Sequence, residues 1–111
     1  MVVIKINVAE DFSSTPGGRY KQHGPASGEE FREKLVEILN RGDSVEVSLD
    51  GTEGYGSSFL EEAFGGLVRL KKMSFDSFRR LVTIKAIDAA YEPYAELAYR
   101  YTKEAAKPFH A

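Results

Sequence analysis

The sequence contains no cysteine and only two histidines, His23 and His110. Without cysteine there is no thiol nucleophile and no thiolate metal site, and this composition fits a reducing cytoplasm. The formal net charge of −2 provides no basic field that would attract nucleic acid or an anionic membrane. No apolar run approaches the roughly 20 residues of a membrane span, and the short N-terminal apolar stretch is expected to be a strand rather than a signal peptide. These absences favour a cytoplasmic globular protein that binds neither nucleic acid nor membranes.

The 111 residues predict one domain over residues 1–107, followed by a tail at residues 108–111 that we expect to fray. Apolar residues alternate with period two in three segments, which indicates strands. These strands are predicted at residues 2–8, 44–50 and 81–87. Residues 18–21 could form a further, weaker strand that pairs back on the first.

Helical spacing of apolar residues predicts helices after Ser27, from Ser58 to Leu70 and from about Ala89 to Lys107. Residues 74–80 are expected to form one helical turn or a loop. Such alternation of strands and helices favours an α/β fold, with a mostly parallel or mixed sheet of about four strands covered by three to four helices.

Two features punctuate the helices. Ser27 and Glu30 have the spacing of a capping box, and Gly42 is suited to a left-handed helix stop. Gly65 and Gly66 lie inside the next helix, where each costs roughly 1 kcal/mol relative to alanine. Such a pair usually indicates that another backbone packs close by, or that the helix is kinked.

A glycine-rich loop over residues 50–58 joins the second strand to the helix that follows. In open α/β sheets, ligands gather at the carboxyl ends of strands and beside helix N-termini, so this loop is the first place to expect a functional site. The loop is not a P-loop, because no Lys-Ser or Lys-Thr follows the glycines. It is not a nucleophile elbow either, since Phe59 and Leu60 follow the two serines.

Ser58 and Glu61 have the spacing of a second capping box, so Ser58 is interpreted as the N-cap of the helix. Ser57 is not needed for that cap and is the better candidate for modification or contact. Ser57 and Ser58 are therefore the candidate phosphosites. The residues predicted to contact a partner or an anion are Gly54, Tyr55, Gly56, Ser57 and Phe59.

Other polar residues favour surface roles over chemistry. His23, Arg19 and Lys21 could bind an anion but are more typical of a solvated basic loop. Asp50 and Glu53 are close in sequence, yet neither a histidine partner nor a third ligand accompanies them. We assign no catalytic residue, no metal site and no cofactor.

Three segments of the chain, residues 16–20, 27–32 and 54–69, resemble the STAS-like domain family of unknown function. The run Gly-Ser-Ser-Phe-Leu-x-x-Ala-Phe-Gly-Gly-Leu is the most specific part of the resemblance, which covers roughly residues 1–90. That family is similar to the STAS domains of bacterial anti-sigma factor antagonists. In those domains a strand leads into Asp-Ser-x-Gly at a helix N-terminus, and a histidine-kinase-like ATPase phosphorylates the serine, which releases the partner.

The resemblance places Ser57 on the phosphorylated serine and Ser58 on the residue after it. Gly56 falls where the antagonists have aspartate, and Phe59 falls where they have glycine. The resemblance thus implies a bacterial signalling protein that binds a protein partner, with a histidine-kinase-like ATPase as the expected partner.

Three functions remain open from the sequence. The first is a non-enzymatic regulatory module that presents the glycine-rich loop to a protein partner, with a serine phosphoswitch. The second is an anion or nucleotide binder that uses the same loop. The third is a small hydrolase with Ser57 or Ser58 as nucleophile, which is disfavoured because neither histidine has a recognisable spacing to a serine and an orienting acid.

Overall fold

The structure, a computed structural model, describes residues 2–109. Within these residues the chain forms a three-stranded parallel sheet with the order β1-β2-β3. The strands are β1 (Val3–Asn7), β2 (Ser44–Ser48) and β3 (Val82–Lys85). The α/β class is confirmed, and the sheet is wholly parallel with three strands where about four were expected.

The fourth strand predicted at residues 18–21 does not form. The carbonyls of Gly18 and Arg19 instead accept hydrogen bonds from the amides of Gly28 and Glu29, at 2.8 and 2.9 Å. These amides belong to the first turn of a helix, where N–H groups have no partner within the helix. The segment therefore packs along a helix N-terminus, and residues Lys21–His23 form a short 3₁₀ turn.

Five helices accompany the sheet in the described part of the chain. They are α1 (Val8–Asp11), α2 (Gly28–Asn40), α3 (Ser57–Leu60, Glu61–Gly65 and Gly66–Lys71 in continuous succession), α4 (Phe75–Leu81) and α5 (Glu92–Ala105). A 3₁₀ turn at Ala89–Tyr91, capped by the side chain of Asp88, leads into α5. Pro93 lies in the first turn of α5, where its missing N–H costs nothing.

Helix α1 was not predicted, because the apolar alternation of β1 runs on into Val8. The side chain of Asn7 caps this helix by accepting from the amide of Glu10 at 2.9 Å. Asp11 accepts from the amide of Asn7 at 2.8 Å. These two bonds turn the chain immediately after Asn7, so β1 ends one residue earlier than expected.

Alternation along the strands separates a buried face of the sheet from a solvent-exposed one. The buried face carries the apolar side chains Ile6, Val45, Val47, Val82 and Ile84. The side chains that alternate with them include Val3, Lys5, Thr83 and Lys85, all exposed. The core therefore lies between the buried face and the helices, with Phe31, Phe59, Phe64 and Phe78 completely buried in it.

The capping box predicted at the start of α2 is largely confirmed. Ser27 accepts from the amide of Glu30 at 3.1 Å, whereas the Glu30 carboxylate accepts from Ala26, one residue before the cap. Gly42 has the expected left-handed conformation, with φ of 86°. Ser74 caps α4 in the same way by accepting from Ser77, so residues 75–81 form two helical turns.

Helix α3 contains a π-helical segment at Glu61–Gly65 between its two α-helical parts. A π segment inserts an extra residue into a helical turn and is often found at functional sites. The glycine pair predicted to mark an irregularity lies at the end of this segment. The close backbone approach, however, occurs at Gly28, where an added Cβ would lie 2.7 Å from the carbonyl oxygen of Phe59.

Part of the predicted tail lies within the described residues. Phe109 packs against the core, and its amide donates to the carbonyl of Ala106 at 2.8 Å. Residues 110 and 111, and with them His110, lie outside the described residues.

Candidate functional site

The glycine-rich loop follows the carboxyl end of β2, as predicted, and is held by the side chain of Thr52 and by the 3₁₀ turn that precedes α5. Gly51 and Gly54 have φ of 92° and 119°, conformations that favour glycine. The hydroxyl of Thr52, a buried residue, accepts from the amide of Gly54, and its carbonyl accepts from the hydroxyl of Tyr91. These hydrogen bonds hold the loop in a fixed turn.

Asp50 supports this turn and does not form a carboxylate pair with Glu53. Its two carboxylate oxygens accept from the amides of Ile87 and Asp88, each at 3.2 Å. Its carbonyl accepts from the side chain of Asn7 at 3.1 Å. Because Asp50 is engaged with backbone donors, its place at the end of β2 serves to hold the segment after β3 beside the glycine-rich loop.

Tyr55 is half-buried, and its hydroxyl donates to the carbonyl of Leu49 at 2.8 Å. Its ring lies against the rings of Tyr94 and Phe59, with centroid separations of 5.2 and 5.8 Å. Burial raises the pKa of the Tyr55 phenol well above its ordinary value. Tyr55 therefore anchors the loop through a neutral hydroxyl, and only the remaining exposed part of its ring is open to a partner.

The capping role predicted for Ser58 does not form. Gly56 is the N-cap of α3, and the helix begins at Ser57, so the capping box of Ser58 and Glu61 is wrong. The carboxylate of Glu61 is bound by arginines instead. Neither serine caps the helix, and both are exposed. The reason for preferring Ser57 to Ser58, that only Ser58 caps, is thereby removed.

Phe59 was predicted to contact a partner, but the structure places it in the core with no exposed surface. Starting α3 at Ser57 directs Phe59 and Leu60 inward together, where Phe59 packs near Phe12 and Phe31. Its side chain is therefore a support beneath the loop, and the prediction of direct contact is corrected. Gly54 is partly exposed beside the hydroxyl of Tyr94, and Gly56 is exposed with open space around it.

The loop has an exposed apolar neighbour that the sequence did not point to. Ile87 follows β3 and is 77% exposed. The bond from its amide to Asp50 fixes its backbone to the base of the glycine-rich loop. We call Gly54–Ser58 together with Ile87 the docking surface.

A charge cluster on α3 was also not predicted. Glu62 is only 6% exposed, and its carboxylate binds Arg32 and, at 3.3 Å, Arg19. Glu61 binds Arg19 at 2.8 Å and Arg69 at 2.6 Å. The hydrogen bond from Arg69 is the largest of the effects that lower the pKa of Glu61.

We call these five residues the arginine–glutamate cluster. The signal that could have revealed it is a pair of adjacent acidic residues among mainly apolar neighbours, separated from two glycines only by Ala63 and Phe64. The cluster also corrects the prediction that Arg19 belongs to a solvated basic loop. Lys21 and His23 are exposed, and Lys21 pairs with Glu33.

Residues 2–109 contain no group of three or more potential metal-binding His, Cys, Asp or Glu side chains. No helix in this range combines the length and the apolar character that crossing a bilayer requires.

The model of one protein family matches residues 27–92, a range that includes α2, β2, α3, α4 and β3. It is described as a STAS-like domain of unknown function (DUF4325). Comparison with curated proteins and with solved structures gives no match. The matched range is more than half of the chain and includes the whole docking surface. The chain therefore belongs to the family of STAS-like domains of unknown function.

Proposed function

We propose that this protein is a non-enzymatic regulatory module that binds a protein partner through the docking surface. The observation that carries the proposal is the exposed pair Ser57 and Ser58 at the start of α3, where neither side chain has a capping role. Ile87 supplies an exposed apolar side chain at the same carboxyl end of the parallel sheet. A rigid turn that carries hydroxyls beside an apolar side chain suits protein recognition.

The polar groups around the serines support a non-enzymatic role. A serine nucleophile needs a base within hydrogen-bonding reach. The Asp50 carboxylate accepts from backbone amides, and the Tyr55 hydroxyl donates to a carbonyl with a raised pKa. Both groups hold the loop and are poor proton acceptors for a serine.

The partner we propose is a histidine-kinase-like ATPase, on the strength of the resemblance to anti-sigma factor antagonists. Phosphorylation of Ser57 or Ser58 would add a charge of about −2 beside the first-turn amides of α3. The helix N-terminus stabilises that charge, while a partner surface packed against Ile87 would have to desolvate it. Phosphorylation would therefore weaken binding without unfolding the domain.

Binding is tested by calorimetric titration of the protein with a histidine-kinase-like ATPase from the same genome. We expect Ser57→Asp, Ser58→Asp and Ile87→Ser each to weaken binding at least about tenfold, as loss of roughly 1.4 kcal/mol does. Thr83→Asp and Val2→Ser are matched controls, since Thr83 and Val2 are also exposed but lie outside the docking surface. Unchanged affinity of all three docking variants would contradict the proposed surface.

Phosphorylation is tested separately by incubation with the ATPase and ATP, followed by peptide mass spectrometry. Phosphate on Ser57 or Ser58 is the expected result. Its absence, together with unchanged binding by Ser57→Asp and Ser58→Asp, would refute the phosphoswitch. If millimolar phosphate or nucleotide instead shifts the amide signals of residues 54–58 saturably while the ATPase does not bind, the loop is an anion or nucleotide site.

A further inference from the structure

The outer edge of β3 is closed by a side chain from α5. In the parallel ladder the amide of Leu49 donates to the carbonyl of Lys85, so Ile84 faces outward. The outward amide of Ile84 donates to the hydroxyl of Tyr99 at 2.7 Å. Covering an edge in this way prevents the addition of another strand.

The outer edge of β1 is open over two residues. The amide of Ser44 donates to the carbonyl of Val2, so the backbone groups of alternate residues from Val2 onward face β2. Val3, Lys5 and Asn7 consequently face away from the sheet. The amide of Asn7 is bonded to Asp11. Within residues 2–109, the outward amides and carbonyls of Val3 and Lys5 have no bonded partner.

A groove with a volume of about 410 Å³ runs between this open edge and α2. Its apolar residues include Ile4, Ile6 and Ile38, and its charged residues include Lys34, Glu37 and Arg41. The charged side chains on α2 and at its C-cap thus have both signs. A second strand laid against β1 would find unpaired backbone groups at the edge and apolar side chains beside the groove.

We propose that β1 is a homodimer interface, in which the β1 strands of two copies pair antiparallel about a two-fold axis through Ile4. In this register Val3 of each copy faces Lys5 of the other. The two facing pairs exchange four N–H···O bonds, and the two Ile4 side chains meet at the axis as a non-hydrogen-bonded pair. The two three-stranded sheets then form one continuous sheet of six strands.

The free backbone groups and side-chain charges of β1 favour an axis through Ile4 over an axis through Lys5. An axis through Lys5 would set the two Lys5 residues opposite each other, where like charges are destabilising. It would also pair Val3 with Asn7, whose amide is already donated to Asp11. With the axis at Ile4, Lys5 faces an apolar Val3 and all the free edge groups are used.

The charges in the groove favour a second copy of this chain as the occupant. The α2 helices of the two copies flank the shared groove. Glu37 of either copy can then pair with Lys34 or Arg41 of the other, so charges of opposite sign on the same surface face each other across the two-fold axis. Antiparallel pairing points the two docking surfaces in opposite directions, so each copy keeps its own surface accessible.

The first test is the mass of the full chain by light scattering and sedimentation over a concentration series. We expect a reversible dimer. Val3→Pro removes an outward amide and leaves the ladder to β2 intact, and it is expected to raise the dimer dissociation constant about tenfold or more. Val3→Ala keeps the amide and should remain dimeric. A wild-type chain that stays monomeric up to about 1 mM would overturn the proposal.

The second test does not depend on how well the proline variant folds. Because the chain has no cysteine, Ile4→Cys introduces a single thiol per copy. Non-hydrogen-bonded antiparallel pairs bring Cβ atoms to about 4.5–5.5 Å, so mild oxidation should link the two copies through a disulfide. Thr83→Cys, an exposed thiol on β3, should not cross-link at the same rate. Equal cross-linking rates for the two variants would place any interface elsewhere and overturn the proposal.

Discussion

Replacing Gly66 with alanine tests whether the arginine–glutamate cluster determines the shape of α3. Helix propensity alone predicts that Gly66→Ala stabilises the protein by about 1 kcal/mol, because glycine is a poor residue inside a helix. The structure predicts the opposite sign. A Cβ at this position would lie 2.9 Å from Oε2 of Glu62 and 3.3 Å from Cδ of Arg32. Glu62 is 6% exposed and bonded to arginines, so its carboxylate has little freedom to withdraw.

The magnitude follows from what the methyl group displaces. Breaking a buried ion pair by removing one partner costs about 3–5 kcal/mol. Gly66→Ala only displaces the pair of Glu62 with Arg32, so we expect a loss of about 2–3 kcal/mol, offset by about 1 kcal/mol of helix propensity. The net loss of about 1–2 kcal/mol corresponds to a fall in Tm of roughly 4–16 °C for a domain of this size.

The assay is urea unfolding followed by circular dichroism for four proteins: wild type, Gly66→Ala, Glu62→Ala and the double variant. With Glu62 truncated, the carboxylate that meets the new methyl group is gone. Gly66→Ala should then stabilise the protein by about 1 kcal/mol, a reversal of sign between the two backgrounds. If Gly66→Ala has the same effect in both backgrounds, or stabilises the wild type, Gly66 does not accommodate the carboxylate and the reasoning is wrong.

Two further predictions concern single contacts. Tyr99→Phe should lower the free energy of unfolding by about 1–2 kcal/mol and speed hydrogen exchange at Ile84, because the Ile84 amide loses its acceptor. Tyr101→Phe is the matched control. Equal effects of the two substitutions would contradict the edge-closing role of Tyr99. The folded-state pKa of Glu61 is lowered, chiefly by the hydrogen bond from Arg69. The ionised Glu61 therefore stabilises the folded protein at pH values above its unfolded-state pKa of 4.5. That stability is lost as the pH falls through 4.5 towards the folded-state pKa. The difference in stability between wild type and Glu61→Gln, measured by urea unfolding from about pH 7 to about pH 3, should therefore shrink below about pH 4.5, and a constant difference would refute the assignment.

Local patterns predicted the elements that local forces determine. The period-two runs around Val45 and Val47 form a central strand because alternate side chains enter one core. Ser27 caps α2 because its partner, the amide of Glu30, is three residues away in the chain. In both cases the residues whose interactions decide the structure lie within the same short segment of the chain.

The errors arise where distant residues compete with a local pattern. The reciprocal bond of the capping box predicted at Ser58 needs the side chain of Glu61, but Arg19 and Arg69 bind that carboxylate more strongly than a backbone amide would. The π segment likewise places Glu62 against Arg32, thirty positions earlier in the chain. The spacing of apolar residues along the chain does not indicate these distant partners. The only sequence signal for the π segment was therefore the glycine pair Gly65 and Gly66, which makes room for it.

The rigidity of the glycine-rich loop determines how binding at the docking surface could be regulated. Asp50, Thr52 and Tyr55 all use their polar groups to hold the turn, and these bonds leave it little freedom to rearrange. A surface already fixed in its binding shape loses little conformational entropy when a partner arrives. Regulation by rearrangement of such a turn would have to break several of these bonds. A change of charge on Ser57 or Ser58 would break none, because neither serine caps the helix, so a phosphoswitch is the form of regulation to which this rigid turn is best suited.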